Sequence, residues 1–359
     1  MVSITVVEEK KSKQMLSDPI EYLVSQGIPR DVAMKMVTKA RQKGIPADFE
    51  IPGRVQTISE SMWNKYFSQI KEAFNEVITE LKSLPSIDER RRWLLENARF
   101  GSTKKTILAT WRIPAMITCP GATELCRLAC YALKGFYMLS PALAKEMVIN
   151  LLASLLPEFP DYMVPKIERA VRESIKNIAR AYRELGKPVP QKLDLIARLH
   201  DSGDFYSISH LIAWLRKLGV DVNELSKLLG IDIAKLPEDW YVRQWIKIAK
   251  KLPHIKFYTY TRSWRIPELV PALIEFASLP NTTLYLSVDK AMPPHEIEKA
   301  INLAKRYGMK IAYTGMTPLT PAILCKYEKE KILKVAKPTP CAVCKICAYG
   351  SADVVFPIH

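Results

Sequence analysis

The chain has 359 residues, 48% of them hydrophobic and 25% charged, enough apolar content for one large core or one large plus one small. No run of eighteen apolar residues is present, which argues against a membrane-spanning helix, and the charged start MVSITVVEEKKSKQ does not read as a secretory leader. With 53 Lys+Arg against 37 Asp+Glu, the formal charge of +16 favours nucleic acid as a partner, while seven cysteines, an odd number, exclude a simple secreted disulfide framework and predict a cytoplasmic protein with reduced thiols.

Residues 1–100 read as a helical region. Asp18-Pro19 followed by Glu21 is a helix start, and Ile28-Pro29 opens a second helix that ends near Gly44. Tyr66, Ile70, Phe74, Val77, Ile78 and Leu81 recur at helical spacing and predict one buried face. Arg90-Arg91-Arg92 ahead of Trp93 reads as a solvated face with an anchoring Trp, or alternatively as a phosphate-meeting patch.

After residue 100 strand-like runs alternate with helical ones. The strand candidates are Thr106–Trp111, Leu193–Leu199, Ile255–Thr261, Thr283–Val288, Lys310–Tyr313 and Asp353–Phe356. Lys166–Leu185 and Pro294–Tyr307 read as helices ending at Gly186 and Gly308, and residues 219–237 as a small helical insertion. The alternation predicts parallel βαβ units. The expected fold is α/β: a partial parallel (β/α) barrel of about six strands over residues 101–320, with a Cys-rich tail, 321–359, closing it.

Two cysteine groups stand out. Cys119, Cys126 and Cys130 lie on a Pro-Gly loop directly after the first strand, a spacing that lets three thiolates converge on one soft-metal centre. Cys341, Cys344 and Cys347 form the C-x2-C-x2-C run that ferredoxin-like clusters use with a fourth ligand from elsewhere. Cys325 is either that fourth ligand or a core cysteine. Three plus four accounts for all seven and predicts one or two iron–sulfur clusters of the 4Fe-4S type; one cluster shared by both groups, and zinc in place of iron, stay open.

Parallel folds place ligands at the carboxyl ends of their strands. There the sequence offers His200, Asp201, Ser202 and Asp204 in one polar loop, with Ser207 or Asp204 capping the next helix. Tyr260, Thr261, Arg262, Ser263 and Trp264 follow the next strand: Arg262 has the planar fork for a carboxylate or phosphate, and Tyr260 and Trp264 have faces for stacking. Ser287, Asp289, Tyr313 and Thr314 end the two strands after that. His254 and His295 read as loop or cap residues and His210 as a packed helix residue. G-x-S-x-G, Walker, H-E-x-x-H and G-x-G-x-x-G patterns are absent.

The ordered runs TCPGATELCRLACYA, RLHDSGDF and FYTYTRSW and the Cys-rich tail resemble the phage gene product 88 family between residues 100 and 350, which implies a mobile-element or archaeal context. A more distant resemblance is to radical S-adenosylmethionine enzymes, which carry three cysteines after the first strand of a partial barrel, with Tyr or Phe beside the last, and Cys-rich auxiliary-cluster domains. Their spacing is C-x3-C-x2-C, where this chain has C-x6-C-x3-C. That resemblance implies a cofactor-meeting cluster on Cys119, Cys126 and Cys130, with Tyr131, Thr261, Ser287 and Thr314 near S-adenosylmethionine. It also implies an auxiliary cluster on Cys325, Cys341, Cys344 and Cys347, and His200, Asp201, Ser202, Asp204, Tyr260, Arg262, Ser263 and Asp289 around the reacting substrate. The other expected functions are a non-enzymatic iron–sulfur protein that binds nucleic acid and a zinc-stapled hydrolase built on His200, Asp201 and Asp204.

Overall fold

The computed structural model describes residues 18–42, 58–134 and 140–358; the charged N-terminal run and the expected helix end near Gly44 lie outside the described residues. Among the described residues four helices come first: α1 (Pro19–Ser25), α2 (Arg30–Gln42), α3 (Glu60–Ser83) and α4 (Ile87–Asn97). The Asp18 side chain accepts from the N–H groups of Ile20 and Glu21, and Ser86 and Glu89 form a reciprocal capping box. Next come β1 (Ala109–Arg112), α5 (Glu124–Leu128), α6 (Pro141–Ala153), α7 (Phe159–Glu184), β2 (Ile196–Ser202), α8 (Ile208–Lys217), α9 (Val222–Leu229) and α10 (Trp240–Lys251). The chain continues with β3 (Lys256–Thr261), α11 (Val270–Ser278), β4 (Thr282–Asp289), α12 (Pro294–Tyr307), β5 (Lys310–Thr314) and β6 (Ala322–Leu324). It finishes with α13 (Lys326–Ile332), α14 (Cys341–Cys344), α15 (Ile346–Tyr349) and β7 (Asp353–Phe356).

The N-terminal helices are fastened to the α/β body. Tyr66, Ile70, Phe74, Val77 and Leu81 of α3 share one continuous core with Leu94, Leu95, Met147, Leu151 and Leu152. Each such fully buried large side chain contributes about 1.5–3 kcal/mol. Arg90 donates to the Leu81 and Leu84 carbonyls, and Arg91 to those of Leu229 and Gly230. These two arginines tie helices together and are not a free phosphate-binding patch. None of the described helices is long and apolar enough to cross a membrane.

All seven strands are parallel in one sheet of order β1-β2-β3-β4-β5-β7-β6. The expected count of about six becomes seven because β6 has three residues, too short for any alternation to show in sequence. Among the described residues no pairing joins the edge strands β1 and β6, so closure of the sheet into a barrel is not seen. Side chains alternate as a sheet requires. Phe257, Leu284, Leu286, Val288, Ile311 and Val355 go to the main core, while Tyr258, Tyr260, Tyr285, Ala312, Val354 and Phe356 gather on the other face.

β2 runs three residues beyond the apolar stretch that announced it, so His200, Asp201 and Ser202 belong to the strand and not to the loop expected there. The extension carries an irregularity: His200 has a φ of 55°, and the pairing with β1 shifts register between Thr110 and Arg112. Ser207, not Asp204, caps α8 by accepting from the His210 N–H.

Candidate metal centre

The non-core face of the sheet forms one wall of a cavity of about 550 Å3, and all seven cysteines line it. All seven are free thiols. They arrive from opposite sides, three after β1 and four from the tail.

The loop after β1 is wedged between two neighbouring strand ends. Thr123 starts α5 by accepting from the Cys126 N–H, and its hydroxyl donates to Asp289 Oδ2 at 2.8 Å. A Cβ at Gly121 would stand 1.9 Å from the Arg262 carbonyl oxygen. A Cβ at Gly203, whose φ is +80°, would stand 2.5 Å from the Ile113 side chain and 2.6 Å from Thr118 Oγ1. Burial, then neighbouring charges, push the three thiols up: Asp204, Cys126 and Cys130 act on Cys119, and Asp289 and Asp204 act on Cys126 against the guanidinium of Arg262. Burial and Cys126 bring Cys130 up to about 12. Such thiols stay protonated until something replaces the proton, and a thiophilic metal does that.

The tail group is larger. Cys325 sits at the start of α13, Cys341 and Cys344 bound α14, and Cys347 lies in α15. Burial raises all four, and each thiol feels at least one of the others. The Tyr260 hydroxyl donates towards Cys347, while the Tyr258 hydroxyl is buried with no hydrogen-bond partner among the described residues. The Cys341 N–H donates to the Lys105 carbonyl at 2.9 Å, and Lys105 Nζ reaches Glu328 at 2.6 Å. The segment before β1 is thereby pinned to the tail.

The structure distributes the remaining sequence candidates in two sets. Tyr131, His200, Asp201, Ser202, Asp204, Tyr260, Arg262, Ser287 and Thr314 line the cavity. Asp201 pairs with Arg198 at 3.3 Å and with Arg112 at 3.8 Å, and the Tyr131 hydroxyl donates to the Asp201 carbonyl. Thr261, Ser263 and Asp289 stand behind the wall in a buried network. Asp204 accepts from Thr261 Oγ1 at 2.6 Å and from the Arg262 and Phe205 N–H groups, while Ser263 Oγ donates to the Phe205 carbonyl at 2.5 Å. Burial still brings the Asp204 carboxyl up to about 6 against these bonds. Asp289 is fully buried and holds Arg262 at 2.5 Å, so the fork expected for a ligand grips a carboxylate of the protein itself. Trp264 is buried too and donates to the Ser287 carbonyl, which removes it as a stacking surface.

His200 is 3% exposed; its Nδ1 pairs with Thr259 Oγ1 at 3.0 Å and its Nε2 with the Tyr241 hydroxyl at 3.1 Å. Both ring nitrogens are engaged by the core, which leaves neither for a substrate or a metal. Burial, then Arg198, bring its pKa down to about 3. A folded-state value below the unfolded one favours the neutral ring, so the stability it confers is present above pH 6.5 and is lost as pH falls towards 3. Denaturant unfolding at pH 7 and pH 4.5 should show a loss for the native chain that exceeds that of His200→Gln by up to about 2–3 kcal/mol. Equal losses would assign the acid sensitivity elsewhere.

Sequence reasoning missed Lys105, Arg198 and Tyr258. Arg198 had a usable signal: it is a charged residue inside an apolar strand run, and it lies over the Tyr260 ring at 5.5 Å.

Among the described residues no three or more His, Cys, Asp or Glu side chains surround a single ion position. Tetrahedral zinc would require donors about 2.3 Å from one point. A cubane cluster spreads its irons over a larger body and takes its thiolates further apart.

A parallel α/β sheet with two groups of free cysteines facing one cavity defines a cysteine-rich α/β protein. The chain belongs to the Gene product 88 family, whose model matches residues 88–220 and 236–344. The interruption falls on α9 and the turn after it, the small helical insertion expected at 219–237. The matched segments contain every cysteine named above except Cys347. The Gene 88 protein of Mycobacterium phage L5 is 24% identical over 246 residues, which cover 67% of this chain and 81% of that protein. No solved structure matches.

Proposed function

We propose that this protein is an iron–sulfur enzyme with two centres on one cavity: an open one on Cys119, Cys126 and Cys130, and a fully ligated one on Cys325, Cys341, Cys344 and Cys347. The observation that carries the reading is that seven free thiols from segments two hundred residues apart line one 550 Å3 cavity as a three and a four. The donor chemistry fits, since thiolates are the ligands such clusters take and each group gathers like-charging thiols that burial alone would disfavour. When bound, clusters of this kind supply one-electron transfer, and an iron without a thiolate accepts a ligand from outside the protein. Tyr131, Ser287 and Thr314 would contact that outside ligand, Tyr260 and Arg198 would wall the substrate space, and the Asp204–Arg262–Asp289 network would hold the cysteine loop at its strand ends.

S-adenosylmethionine is the ligand to try first at the open iron. Equilibrium binding to anaerobically prepared protein, followed by reduction and analysis of the adenosine-containing product, tests it. The expected result is saturable binding that disappears on replacing Cys119, Cys126 and Cys130 together but survives replacement of the tail cysteines. Neither binding nor cleavage in iron-replete protein would remove this cofactor and leave a non-enzymatic iron–sulfur protein, whose nucleic-acid binding the charge of +16 favours.

A further inference from the structure

A basic ridge runs along α7. Arg169, Arg172, Lys176, Arg180 and Arg183 are all exposed. At 100° per residue they fall within an arc of about 80° on the helix. Met163, Ile167, Val171, Ser174, Ile178 and Tyr182 are buried and occupy the opposite side. Among the described residues Arg180 pairs with Glu184 at 3.9 Å and donates to Asn177 Oδ1 at 3.1 Å, exposed contacts that contribute little, and Glu173 and Glu184 are exposed along one edge of the ridge.

We propose that this ridge is a docking surface for the phosphate backbone of duplex nucleic acid, independent of the thiol cavity. Three physical arguments select that partner. From Arg169 to Arg183 the helix rises about 21 Å, roughly the axial length of six base pairs of a duplex. Four of the five cations are arginines, whose planar forks match phosphate oxygens. The apolar side of α7 is packed into the protein, so the helix has nothing to insert into a lipid surface. The contacts are to backbone alone, so binding is independent of base sequence and steeply salt-dependent.

The test is fluorescence anisotropy of a labelled 20-base-pair DNA duplex, and of an RNA duplex of the same length, titrated with full-length protein from 50 to 200 mM salt. R169E/R172E/K176E should weaken binding at least tenfold and reduce the slope of log affinity against log salt by about 2.7. The equally charge-changed K299E/K305E/R306E, on exposed positions of α12, should weaken it less than threefold. The neutral R169Q/R172Q/K176Q should fall between. Equal losses in the two reversed variants would overturn the proposal by reducing the effect to net charge. Failure of the native protein to bind either duplex at 50 mM salt, with or without binding to anionic vesicles, would overturn it outright. The ridge residues themselves are not among those lining the cavity.

Discussion

Protein prepared without oxygen should carry roughly eight iron and eight acid-labile sulfide per chain, and each cysteine group should account for half. Replacing Cys119, Cys126 and Cys130 with alanine should leave roughly four of each, and so should replacing Cys341, Cys344 and Cys347. Cys325→Ala is the discriminating single change. It sits where α13 begins, within electrostatic reach of Cys341 and felt by Cys347 and Cys344. Its loss should strip or degrade the tail cluster and spare the other. Iron unaffected by Cys325→Ala would make it a packing residue. Zinc at one per chain with no sulfide would replace the iron reading altogether. Loss of all iron from either triple variant would mean a single shared cluster.

Gly121→Ala should be the most damaging single change outside the cysteines. The added carbon meets the Arg262 carbonyl at 1.9 Å, a backbone atom that cannot rotate aside. Overpacking of this kind costs about 1–3 kcal/mol. Relief also requires the cysteine loop to lift away from β3, which takes Thr123 from Asp289 and Cys126 from Arg262. The expected outcome is a lowered unfolding midpoint together with selective loss of iron from the three-cysteine centre. Gly203→Ala attacks the same loop from the β2 side, through Ile113 and Thr118, and should resemble it. A Gly121→Ala protein with native stability and full iron would show that the loop is not held by this contact.

Much of the scaffold was legible from side-chain pattern. The helix ending at Gly308 and the five longer strands after β1 announce themselves by periodicity and by glycine in the left-handed conformation. The cysteine groups were legible because spacing places thiols close together before any tertiary contact forms. What stayed hidden depends on partners distant in sequence. His200 reads as chemical until Tyr241 and Thr259 occupy both its nitrogens. Arg262 reads as a ligand clamp until Asp289 arrives from another strand. β6 is too short to carry a period, and Lys105 gives no hint that its carbonyl will receive the Cys341 N–H.

The bridge between Lys105 and Cys341 also fixes an order of assembly. The first three cysteines, β1 and the segment that receives the tail leave the ribosome more than two hundred residues before Cys341 does. The sheet wall grows strand by strand until β5 ends at Thr314, and the tail that brings the other four cysteines follows directly after it. On the iron–sulfur reading the first three thiols would be most accessible before the tail is made, and β7, the last strand synthesised, takes its place between β5 and β6.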